Sequence, residues 1–161
     1  MGKTDILAGV VSGITGAATI FLYLTISLPL FFHIPPVALY HLDTSNLIGW
    51  QAALHAGLPG IVLGQAAHVC VSLVWGFFFV ALLRAFPAMR GAPLGWGIVY
   101  GVGVMLFMHF VVVPLGHAPR LSYTPASLLN NLIAHTLFFG VPVAWVATRV
   151  AAMRAAARLY P

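Results

Sequence analysis

Charge is what this sequence has least of. Seven Lys or Arg and two acidic residues make up 6% of its 161 residues, where soluble domains carry about a quarter. An ordinary soluble domain is therefore excluded. The two acids, Asp5 and Asp43, fall outside the apolar runs, so no carboxylate pair is expected within them and a conventional acid–base enzyme is not the expectation. Cysteine is nearly absent too. The single Cys70 lies within an apolar run and excludes an intrachain disulfide. The chain also lacks HExxH, CxxC and the haem-attachment motif CxxCH, so no metal or haem signature announces itself. A net charge of +5 in a soluble chain would point to nucleic acid. Here the basic residues sit at the ends of apolar runs, so nucleic acid is not implied.

What the chain has instead is apolar length. Hydrophobic residues make up 61% of it and its mean hydropathy is +1.03. Pro93 to Pro114, PLGWGIVYGVGVMLFMHFVVVP, carries no charge and as a helix covers about 33 Å, enough for a hydrocarbon core of about 30 Å. Pro93 suits a first helical turn and Pro114 a last one. Four such segments are read, over 5–32, 59–83, 93–114 and 125–148, giving an all-α integral-membrane four-helix bundle in a single domain. The first is too long and too rich in Gly and Thr for the apolar region of a signal peptide and is expected to be retained. Its Gly9 and Gly13 form a GxxxG, and Gly97 and Gly101 repeat the four-residue step in the third, so neighbouring helices should approach closely there. Thr124 and Pro125 give the fourth a clean start, and Pro142 is expected to kink it. Between the first two spans, 33–58 contains no Lys or Arg. Within it Asp43, Thr44 or Ser45 offers an N-cap for a short helix, either lying at the interface or extending the next span.

Orientation follows from counting. With both termini cytoplasmic, Lys3, Arg84, Arg90, Arg149, Arg154 and Arg158 lie inside and only Arg120 outside. All seven histidines then fall on the outer face or in the outer half of the spans. His68, His109 and His135 lie within three different spans, at depths of roughly 13, 8 and 15 Å below the outer boundary, close enough to meet in one bundle.

Polar groups facing lipid are left unsatisfied, so these three should turn inward. Gln65 and Ser72 share a stripe with His68, and Ser127 and Asn131 share one with His135. Met105 stands one turn before His109. Neutral imidazole is a metal and haem ligand, so His68, His109 and His135, with Met105 as a soft partner, could hold haem b or a transition metal. Gln65, Ser72 and Asn131 would then orient the rings. The same side chains also serve as hydrogen bonds between helices, the alternative that asks for no ligand. For Met105 and Met108, core packing is the simpler role.

At GQAAHVCVSLVWGFFFVALL (64–83) and GWGIVYGVGVMLFMHFVVVPLGHAP (95–119) the chain resembles the YagU-like group of small bacterial inner-membrane proteins. The resemblance implies a multi-pass protein of about four spans in the bacterial inner membrane and singles out His68, Trp75, Gly76, His109 and Pro114. It supplies no substrate. The expected role is a non-catalytic accessory or scaffold subunit of a larger membrane complex, in contact with lipid and with other membrane subunits or further copies of itself. The alternative is an oligomeric pore or small-solute or metal transporter, lined by Ser12, Thr15 and Thr19 and by Gln65, His68 and Ser72.

Overall fold

The computed structural model describes residues 2–119 and 124–159, with side chains as far as Met153. Among the described residues there is no strand. Four helices are long and apolar enough to cross a membrane: Lys3–Phe32, Gly57–Ala85, Pro93–Leu115 and Pro125–Met153. The first is α1 (Lys3–Phe32) and the second α4 (Gly57–Ala85). The third consists of α5 (Pro93–Phe107), a π turn at Met108–Val112, and α6 (Val113–Leu115). The fourth consists of α7 (Pro125–His135), a π turn at Thr136–Gly140, and α8 (Val141–Leu159). A short 3-10 turn at Pro87–Gly91 joins α4 to α5.

Asp5, in the first turn of α1, accepts from Gly2 N–H at 2.9 Å and from Arg84 Nη1 at 3.0 Å. A carboxylate suits a helix N-terminus, and this one also ties the start of α1 to the end of α4, fixing the two as antiparallel. Their seam is built from glycine. A Cβ on Gly13 would lie 2.8 Å from Ser72 O, and one on Gly76 would lie 2.7 Å from Gly13 N. The second glycine seam is between spans three and four, where a Cβ on Gly97 would lie 2.7 Å from Val141 Cα. The close approaches expected of both Gly repeats are thus present. Phe79, fully buried, packs against Tyr100 with ring centroids 4.8 Å apart, joining α4 to α5 in the core.

The connection 33–58 departs from expectation. His33 closes α1 in the left-handed region (φ 55°), Pro35 is the N-cap, and α2 runs over Pro36–Ile48. Asp43, Thr44 and Ser45 therefore lie inside a helix rather than capping one. The prolines explain the earlier start, because Pro36 at the first helical position loses no bond. Gly49, at φ 83°, breaks the chain before α3 (Trp50–His55). Far from lying alone, α2 folds back on α4. Thr44 Oγ1 donates to Gly60 O at 2.6 Å, and Gly64 leaves the room, since a Cβ there would lie 2.9 Å from Thr44 N.

Arg120, the only basic residue assigned to the outer side, lies outside the described residues.

Candidate functional site

Beyond the glycine seams the helices enclose a cavity of about 930 Å³. Its walls come from the later half of α1, from α2, from the first half of α4, from α5 to α6, and from α7. Most are aliphatic or aromatic, among them Leu24, Leu28, Leu39, Val71, Val104 and Phe139. Into this apolar space converge Asp43, His68, Ser72, His109, Asn131 and His135.

His68, His109 and His135, from three different candidate spans, line one cavity, but they fall into two groups. His109 and His135 are neighbours, with ring centroids 6.3 Å apart. His109 Nδ1 donates to Met105 O at 3.0 Å and its Nε2 lies 3.3 Å from Asn131 Nδ2. His135 Nδ1 donates to Asn131 O at 2.9 Å. Asn131 thus links both rings through its side chain and its carbonyl. Met105 takes part through its backbone; its side chain is buried and does not line the cavity.

His68 faces a different partner. Its Nε2 donates across the helix interface to Ala17 O at 3.3 Å, and its Nδ1 stands 3.9 Å from Asp43 Oδ2. Gln65 Nε2 donates to that same carboxylate oxygen at 3.3 Å, so Gln65 orients Asp43 rather than the histidine. Burial pushes the Asp43 carboxyl up to about 6, against the attraction of His68 and the bond from Gln65, which pull it down. Asp43 does lie outside the candidate spans, but α2 carries it to the cavity, a place that its distance from the apolar runs does not reveal. With α2 begun at Pro36, Leu39, Asp43 and Asn46 follow at i, i+4 and i+7 on one face, and all three line the cavity.

The other polar side chains take structural roles. Ser12 donates to Gly9 O and Thr15 to Val11 O within α1; neither they nor Thr19 line the cavity. Cys70 is exposed on α4 and does not line the cavity. His41 Nδ1 donates to Ala53 O at 3.0 Å, stapling α2 to α3. Among the described residues no group of three or more His, Cys, Asp or Glu could hold a metal ion.

Backbone irregularity concentrates beside the two neighbouring histidines. His109 lies within the first π turn and His135 immediately precedes the second. Each turn ends two residues before a proline, Pro114 or Pro142. At Pro142, where the sequence suggests a kink, the helix carries the second of these turns just ahead of the proline. A proline has no N–H to give, and the carbonyl of Phe138, four residues before Pro142, accepts from Thr19 Oγ1 at 2.5 Å instead. At the mouth of span four Thr124 and Ser127 cap each other reciprocally, as the sequence indicates. Tyr23 OH donates to Asn130 Oδ1 at 2.7 Å, holding α7 to α1 beside the cavity. Set against known protein families, curated proteins and solved structures, the chain finds no match.

Proposed function

We propose that the chain is a non-catalytic binding subunit of the bacterial inner membrane, holding a small apolar molecule in the cavity and working beside other membrane chains. The observation that carries this is one cavity of about 930 Å³, mostly apolar, into which polar side chains from α2 and three spans converge. Ligand sites of about 300–1,000 Å³ with apolar walls and few polar groups are the common form. Both termini lie on the cytoplasmic side in this reading, by the excess of Lys and Arg there, which puts the histidines and the cavity in the outer half. The resemblance to the YagU-like group agrees with such a protein; of the residues it singles out, His68 lines the cavity and Gly76 lies in the glycine seam.

Extraction of the chain with its surrounding lipid, followed by native mass spectrometry, tests the proposal directly. A small molecule and other chains are expected to be retained. A bare chain whose Val104→Trp variant, with the cavity filled, supports normal function would sink it. Reporter fusions at Arg90 and Arg120 should report from opposite sides. A second reading, transport by an oligomer, is favoured by one observation, the two π turns, since such turns recur at functional sites and bends. Solute flux in reconstituted vesicles separates the two readings.

A further inference from the structure

We propose that the molecule in the cavity is a neutral, membrane-soluble hydroquinone, bound by donating its hydroxyls to His135 Nε2 and to Asp43. This rests on the cavity being a binding site and adds what its head group must be.

The hydrogen bonds fix which ring atoms hold protons. A carbonyl can only accept, so the Nδ1 atoms of His109 and His135, bonded to Met105 O and Asn131 O, carry the hydrogen. In a neutral ring Nε2 is then an acceptor. For His109 that acceptor is met by Asn131 Nδ2. For His135 no donor among the described residues reaches Nε2. On the α2 side, the hydrogen bond from Gln65 goes to Asp43 Oδ2, and Oδ1 has no donor among the described residues. His68 does not supply one, because its Nε2–H is spent on Ala17 O and its Nδ1 stands toward Oδ2.

Both unfilled acceptors belong to residues lining one mostly apolar cavity, from α2 and from α7, and the buried Asn46 Oδ1 of α2 is a third without a donor among the described residues. Among the described residues no Lys or Arg lines the cavity, and its one carboxylate is Asp43. A phosphate or carboxylate head would leave both acceptors unfilled and would meet a like charge at Asp43. A group that only accepts would also leave both unfilled, although Ser72 and Trp75 bring donors to the wall. What fits is a neutral body bearing two hydroxyl donors. A ring with hydroxyls at opposite ends addresses two different elements at once, and Phe21, Trp75 and Phe107 supply aromatic wall for it. The oxidised quinone has the same shape and the same tail, but its two carbonyls accept only. The quinol therefore fills the acceptors of His135 and Asp43 and the quinone fills neither, so the two redox forms differ at the site in hydrogen-bond polarity.

The test is calorimetric titration of the full chain in lipid nanodiscs under argon, with a decyl-tailed benzoquinol, the matching quinone and dodecanol. The quinol should bind about tenfold more tightly than the quinone, or better, as one hydrogen bond gained and one acceptor clash avoided require. His135→Leu removes one acceptor and should cut that preference to below about threefold while leaving quinone affinity in place. Asp43→Asn offers an amide N–H to a quinone carbonyl, so it should narrow the same preference by raising quinone affinity, and it serves if the histidine variant fails to fold. Equal binding of the two redox forms by the native chain would overturn the proposal. So would dodecanol matching the quinol, or a preference unchanged in both variants. A chain that binds neither redox form nor a hydrophobic dye would take down the binding reading itself, whereas one that binds the dye and both forms alike overturns only the head-group assignment.

Discussion

Around Gly13 and Gly76, α1 and α4 touch backbone to backbone. Farther along the same two helices, from Ile20 and Phe21 on one and from Ala67 and His68 on the other, larger side chains line a cavity. In the first region there is no space to yield, because the atoms a new Cβ would meet are backbone. In the second, side chains face open volume and can rotate into it. A bundle in lipid gains little from apolar burial as such and is held by close packing and interhelical hydrogen bonds. The seam therefore carries the stability, and the cavity region is left free for function.

The largest expected effect comes from carrying bulk across that divide. Gly13→Leu should cost several kcal/mol, at the upper end of overpacking effects, since neither helix can move without the other. Ala67→Leu, which fills the cavity, should cost below about 1 kcal/mol. Thermal unfolding of both variants in one detergent compares them. If Ala67→Leu destabilises as much as Gly13→Leu, the cavity is not an open volume and the contrast fails.

Next in size is the pH dependence of α2. The Asp43 carboxyl is raised from 3.8 to about 6 in the folded chain, so the folded state holds a proton that the unfolded state releases earlier. Stability contributed at this site is thus greatest below about pH 4 and falls as pH rises toward 6, by on the order of 1–3 kcal/mol. Hydrogen exchange in α2, run at a series of pH values, should show the helix loosening across that window. Asp43→Asn should abolish the trend and hold α2 tightly at neutral pH. Loosening that persists in the variant would assign the effect to another group.

A smaller effect belongs to Thr19. Thr19→Val keeps the shape but removes the donor to Phe138 O and should cost about 1 kcal/mol. Reduced protection at Thr136 to Gly140, rather than throughout the bundle, is the signature to seek. Uniform loss would mean that the hydroxyl supports packing generally.

Much of the fold was legible in the chain because its strongest signals are one-dimensional. Four uncharged runs of the right length, bounded by Lys, Arg and Pro, give four spans, and Gly repeats at four-residue steps give their seams. The site was legible in part, for a physical reason. Inward-facing His68, His109 and His135 follow from the cost of exposing polar atoms to lipid, but that cost does not say which polar group each one meets. His68 meets a carboxylate from a helix that is not a span, and nothing in hydropathy shows that 36–48 turns back. The signal was present in Pro35 and Pro36: a helix begun there puts Asp43 beside Leu39 and Asn46, whereas one begun at Asp43 puts it at an end, in water.

The bond from Thr19 to Phe138 also bears on how the bundle is made. Span four follows span one in the chain and brings a carbonyl, that of Phe138, whose usual donor four residues on is missing because Pro142 stands there. The first helix supplies a hydrogen bond to it. A missing backbone hydrogen in the fourth helix and a hydroxyl in the first, shared with the carbonyl of Thr15, thus tie the two helices at the level of the second π turn, so that neither can rotate about its axis there without the other.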